Sequence, residues 1–253
     1  MKTKLFLLAL LVAGALRAAD DPFAAIRTAL DHNQLDAADT ALAPLVAAAN
    51  PDPQAWFYLS QVRSRQHRTK EAVALADQAV AAQPNRADYQ SNLGVILSQR
   101  TGEVSFMQQA LLAGRMLGAF KKSVALDPNH LPGYIGLARY YTNAPAIAGG
   151  SRETAEKYAH EVEQRVPQLG TLELAYIAEH FDDAPRAFGL FAKAAATDPN
   201  NGWICECLGR VSEKLQHPDQ ARTYYEKALA LDPSLADAKT ALARLTAPAA
   251  PHS

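Results

Sequence analysis

Trp203-Ile204-Cys205-Glu206-Cys207-Leu208-Gly209, followed by Ala221, Tyr225, Ala228 and Pro233, falls on fixed offsets of a template about 34 residues long. Trp56, Leu59, Ser60, Ala72, Ala76, Ala79 and Pro84 fall on the same offsets earlier in the chain. Small residues at these offsets let two short helices touch closely. The closing proline cannot continue the second helix. Each copy therefore reads as helix–turn–helix. A unit this small cannot bury its apolar face alone, so copies must stack.

Working outward, the pattern predicts six units, at 21–50, 53–86, 87–130, 131–169, 170–201 and 202–235, closed by a cap helix at 236–246. That is about 12 to 13 helices in antiparallel pairs. The first unit has Phe23, Ile26 and Leu30 on one stripe, a turn at Asp31-His32-Asn33, and Pro44 placed to kink its second helix. The third carries about ten surplus residues. Ser105-x-x-Gln108 within them reads as a capping box, so the surplus should lengthen the second helix by roughly two to three turns. Leu111, Leu112, Met116 and Phe120 then form its apolar spacing, with Gly114 and Gly118 allowing close packing. Gly94 and Gly209 are expected where paired helices cross most closely. The fourth unit has a longer loop, Asn143 to Ser151. Gly149 and Gly150 permit a tight turn there, Ser151 caps the next helix, and Ile147 is expected to pack on the neighbouring unit. The alternative for this loop is an anion held by N–H groups at the helix start. The fifth unit is shortened, and 247–253 reads as a disordered tail.

The chain has 253 residues, 49% of them hydrophobic, so a core is readily built. Met1-Lys2-Thr3-Lys4, then an unbroken apolar run of 12 residues from Leu5 to Leu16, then Ala18-Ala19, has the form of an export signal at 1–19. The run is short of the roughly 20 residues a membrane span needs. Export to the periplasm or the exterior is expected, leaving no stable span after cleavage; the alternative is an uncleaved N-terminal anchor. Losing Lys2, Lys4 and Arg17 takes the net charge from −1 to −4, which argues against nucleic acid or an anionic membrane as partner. The only cysteines, Cys205 and Cys207, point to different helix faces at i and i+2, so a disulfide between them would strain the backbone. Cys205 takes a core position and Cys207 is expected towards a groove.

These offsets identify the chain as resembling the tetratricopeptide repeat family. The resemblance covers 21–245 and implies an all-α, right-handed α-solenoid whose concave face binds a protein or peptide. Phe120-Lys-Lys-Ser-Val-Ala-Leu-Asp-Pro128, with Tyr140-Tyr-Thr-Asn-Ala-Pro-Ala-Ile-Ala-Gly-Gly-Ser151, is similar to a group of exported bacterial members without an assigned activity. In this family the first helix of each unit lines the groove. The resemblance thus implies contacts from Phe57, Gln61 and Arg65, from Ser91, Asn92, Val95 and Gln99, from Ile135, Arg139 and Asn143, from Tyr176, Glu179 and Asp183, and from Glu206, Arg210 and Glu213. Asn and Gln would bond an extended backbone and Arg would pair a carboxylate, unless neighbouring acids neutralise Arg139 and Arg210. Members that clamp a C-terminal carboxylate use lysines where this chain has Phe57 and Ile135. Asn92 is its one match to that clamp.

Seven histidines are scattered and read as solvated. Neither His160/Glu163 nor His180/Asp183 forms a zinc signature, and no nucleophile elbow or dinucleotide fingerprint occurs. The reading is a non-catalytic scaffold without metal or cofactor, of open oligomeric state. The alternative is a subunit of an envelope assembly or secretion complex, and an enzyme would need catalytic residues the pattern does not supply.

Overall fold

The computed structural model describes residues 21–246. The expected signal at 1–19 and the tail at 247–253 lie outside the described residues. Within them the chain forms two compact units, divided between Pro84 and Asn85.

The first unit holds α1 (Ala24–Asp31), α2 (Leu35–Val46), α3 (Pro53–Arg65) and α4 (Thr69–Ala82). Phe23, Ile26 and Leu30, at the predicted helical spacing, are buried with Ala38, Leu42, Ala55, Tyr58 and Val62. Asp52 caps α3 by accepting from Gln54 N at 2.8 Å, with Pro53 at the first helical position, where no N–H is needed. Pro44 lies inside α2, as its position requires.

The second unit holds α5 (Ala87–Thr101), α6 (Phe106–Leu126), α7 (Leu131–Asn143), a 3-10 turn at Ala146–Ala148, α8 (Arg152–Arg165), α9 (Pro167–His180), α10 (Ala184–Thr197), α11 (Gly202–Lys214), α12 (Pro218–Leu231) and α13 (Ala236–Thr246). Successive helices pair, and α5 with α7, α7 with α9 and α11 with α13 also touch. The first helices of neighbouring pairs thus form one layer. No strand occurs among the described residues.

Four turns use one device. Asn33, His67, Asp182 and Gln216 have φ of 54°, 59°, 56° and 61°. Each is followed by an N–H that reaches back five residues, as in Gln34 N to Ala29 O (2.7 Å) and His217 N to Ser212 O (2.9 Å). This is the Schellman closure of a helix end, made here without glycine. A non-glycine residue in this left-handed region is disfavoured by about 1–2 kcal/mol, so the packed helix pairs must hold it. Of the two pairs that carry extra residues, α7/α8 repeats the device with glycine, Gly149 at φ 90° and Gly150 N donating to Pro145 O at 3.1 Å, and only α5/α6 has no positive-φ residue at its turn.

The extra residues in the first of these lengthen α6 to 21 residues, against 14 in α4, α8, α10 and α12. That is close to two additional turns. Ser105 and Gln108 form the capping box, with Ser105 N donating to Gln108 Oε1 at 3.3 Å. The added turns do not extend the core. Leu111 is 68% exposed, and a Cβ on Gly114 or Gly118 would meet nothing. The expected close packing at those glycines is absent, because Gly114 and Gly118 lie on the exposed face of α6.

The loop after α7 is tied down. Tyr140 Oη donates to Ala148 O at 2.9 Å, and Ser151 N to Tyr141 O at 2.8 Å. Gly149 has φ 90°, and a Cβ on Gly150 would lie 1.7 Å from Ala144 O, so both glycines are required. Ser151 caps α8 by accepting from Thr154 N at 3.2 Å. Ile147 does not pack on a neighbour; it is 95% exposed. The fifth helix pair starts at Pro167, ahead of the expected position 170. Val166 flanks α8 and α9 at once, so no turn separates them.

Candidate functional site

The implied groove residues fall into both units. On α3, Phe57 packs against the first unit's core and Gln61 is half-buried. Arg65 donates its Nη1 to Leu30 O, which ties α3 to α1. All the others lie in the second unit. On α5, Asn92 is half-buried and Gln99 exposed, but Ser91 is buried, its Oγ 2.7 Å from His130 Nε2. That contact also removes His130 from the solvated histidines, and burial lowers its pKa.

Arg139 and Arg210 are each already paired with a carboxylate of a neighbouring helix. Arg139 holds Glu173 through Nε (3.1 Å) and Nη2 (2.7 Å). Arg210 holds Glu179 through Nε (2.6 Å) and Nη2 (2.9 Å). Glu173 and Glu179 are buried, with 3% and 9% of the side chain exposed. A buried carboxylate without a partner is strongly disfavoured, so these arginines serve the helix layer first. Tyr176 and Asn143 satisfy each other, Tyr176 Oη donating to Asn143 Oδ1 at 2.7 Å. Asp183 caps α10 and accepts from Arg152 Nη2 at 2.6 Å. Glu213 accepts from Tyr225 Oη at 2.7 Å and Arg244 Nη2 at 2.5 Å. Glu206 is buried in α11. The implied polar groove is therefore largely an internal network.

Cys207 is likewise not in a groove. Both thiols are buried and free, and Cys207 accepts from Arg210 Nη2 at 3.4 Å. Burial pushes both pKa values up, Cys207 to about 12. The thiolate is the nucleophile, so at pH 8 its fraction at Cys207 is on the order of 10⁻⁴. Iodoacetamide at pH 8 should leave the folded protein unmodified and label both cysteines after denaturation. Rapid labelling of native Cys207 would place it on the surface after all.

A second feature was not read from the sequence. α5, α6, α7 and the 3-10 turn enclose a cleft of about 590 Å³, lined by Val95, Phe106, Ala113, Met116, Ile135 and Ile147 among others. Phe106 is 78% exposed at its rim. Asn143 and Tyr140 also line it, but Asn143 Nδ2 donates to Arg139 O at 2.7 Å and Tyr140 Oη to the loop. The lining as a whole is mainly apolar. The signal was present as two departures from the template in consecutive units. Their convergence on one cleft depends on how the units stack. Among the described residues no cluster of His, Cys, Asp and Glu could hold a metal ion, and no helix is long and apolar enough to cross a membrane.

Paired helices closed by repeated turns, with first helices in one layer, define a helical-repeat protein. Sequence models of the tetratricopeptide repeat match residues 23–87 and 203–235. The chain is a tetratricopeptide repeat protein, an all-α solenoid of a family that forms protein–protein interaction scaffolds. Among solved structures it is similar to PilW, a type IV pilus biogenesis factor, with TM-score 0.68 at 16% identity over 86% of this chain and 94% of that one. A tetratricopeptide repeat protein from Parabacteroides merdae has TM-score 0.66 at 14% identity, over 88% and 84%. A thermophilic one in Thermus thermophilus has 0.62 at 19%, over 77% and 98%. These likenesses concern the fold. No curated protein matches the sequence.

Proposed function

We propose that this chain is a non-catalytic scaffold of the cell envelope, which captures a partner segment rich in large apolar side chains in the cleft between α5, α6 and α7. One observation carries the reading: Phe106 and Ile147 stand almost fully in water on the two rims of an apolar cavity. Clustered exposure of such side chains marks a binding site. Ser98, Thr101, Gln109, Tyr140 and Asn143 in the walls each donate to a backbone carbonyl and Arg139 to Glu173, so apolar contact is the main driving force. The export pattern at 1–19 supports the location.

The second reading, a subunit of an envelope assembly complex, draws on Met107 and Leu111, which are 84% and 68% exposed on α6 outside the cleft. The fold likeness to a pilus biogenesis factor is compatible with it. The test begins with a pull-down from envelope extract, identification of the captured protein, and its purification. Affinity is then measured for wild type, Phe106→Ser/Ile147→Ser and Met107→Ser/Leu111→Ser. Each apolar side chain buried on binding contributes about 1.5–3 kcal/mol, so the first double variant should bind at least tenfold more weakly. Loss confined to the second would move the contact to the outer face of α6 and favour the assembly subunit. Two unaffected variants would sink both readings.

A further inference from the structure

The first helices of the second unit are joined by a ladder of ion pairs. Arg139 of α7 holds Glu173 of α9, Arg210 of α11 holds Glu179 of α9, and Arg244 of α13 holds Glu213 of α11. The last two span 31 residues each. Glu206 breaks this order. It lies one turn before Arg210 on α11, with 7% of its side chain exposed. Among the described residues its carboxylate accepts no hydrogen bond. The nearest cationic atom is Arg210 Nη1 at 3.9 Å, on a guanidinium already committed to Glu179. The same 31-residue step from Glu206 leads to Asp237 of α13, a second acid where the ladder would place a base.

Glu206, Asp237, Glu213 and Thr240 line a cavity of about 300 Å³ between α11, α12 and α13, together with Arg210 and Arg244. Both arginines are held by carboxylates, Arg210 by one outside the cavity lining. The Glu206 carboxylate, which accepts no hydrogen bond among the described residues, opens onto this cavity, where an incoming donor can reach it. The volume is at the lower end for small-ligand pockets. It suits one long side chain and not a helix.

We propose that Glu206, with Asp237 at the mouth, is a recognition site for a single cationic side chain, a lysine ammonium or an arginine guanidinium, presented by a partner peptide. The cation supplies the N–H donors that Glu206 lacks and relieves the unpaired charge of Asp237. The inference rests on the binding role proposed above for its purpose, but its residues are separate from the apolar cleft.

The test is an NMR titration of the isotope-labelled chain with a blocked pentapeptide holding one lysine among glycines. Its counterparts hold Nε-acetyl-lysine or glutamate instead. The lysine peptide should shift amides of α11 and α13, and the other two should not. Glu206→Gln, which keeps the side-chain volume, should weaken binding at least tenfold while melting near wild type. If Glu206→Gln does not fold, Asp237→Asn decides instead; it alters an exposed side chain and should weaken binding several-fold. Phe106→Ser/Ile147→Ser should bind the lysine peptide like wild type, so failure of the cleft reading leaves this site standing. No shift at α11 and α13, equal shifts with acetyl-lysine, or undiminished affinity in the deciding variant would overturn it.

Discussion

Gly170→Ala is expected to lower stability by about 3 kcal/mol, at the upper end for overpacking a helix contact. The added Cβ would lie 2.2 Å from Glu163 Cα and 2.3 Å from Glu163 N. Those atoms are backbone of α8, so no side chain can rotate aside. Val166 flanks both α8 and α9, and no loop is available to let the helices separate. At Gly209, by contrast, a Cβ would first meet the Tyr225 ring at 2.7 Å, and a ring can shift. Thermal unfolding should show a fall in Tm of roughly 6–12 °C for Gly170→Ala. An unchanged melting curve would mean that α8 and α9 cross more loosely than this.

Phe120→Ala should cost about 3–5 kcal/mol, the usual range for deleting a buried aromatic. Phe120 is 3% exposed. Its ring lies where a Cβ on either Gly94 or Gly136 would go, at 2.6 and 2.2 Å. One side chain of α6 thus fills the space that glycines leave on α5 and on α7, and it joins three helices. It also lines the apolar cleft, so the alanine variant should lose cleft affinity together with stability. Urea unfolding measures the first effect. A loss below about 1 kcal/mol would show that the three helices collapse into the vacated volume.

The acidic partners of the groove arginines show how far the sequence could be read. Arg139, Glu179 and Arg210 fell on the groove side of their helices by template alone. Whether each points at a ligand or at the next helix depends on the 31- to 34-residue offsets that stacking converts into contacts. The neutralising outcome was one of the two readings open to the sequence. The structure selects it because a buried carboxylate cannot be left without a cation. Cys207 differed for the same reason. Its helix is covered on the side assigned to the groove, and it packs with Ala175, Ala178 and Ile204.

The sequence by itself determined the repeat, the position of nearly every helix, the lengthening of α6, the capping box at Ser105 and the tight places at Gly94 and Gly209, which an aromatic ring of the paired helix fills. These rest on local rules: helical period, caps, and small residues at fixed offsets. The tertiary structure alone decided that Ile147 stands in water, that Arg139 and Arg210 are already paired, that α9 begins without a turn at Pro167, and that Glu206 is left without a donor. Each of these depends on which residue of another helix lies within a few ångströms, and local periodicity carries no record of that distance.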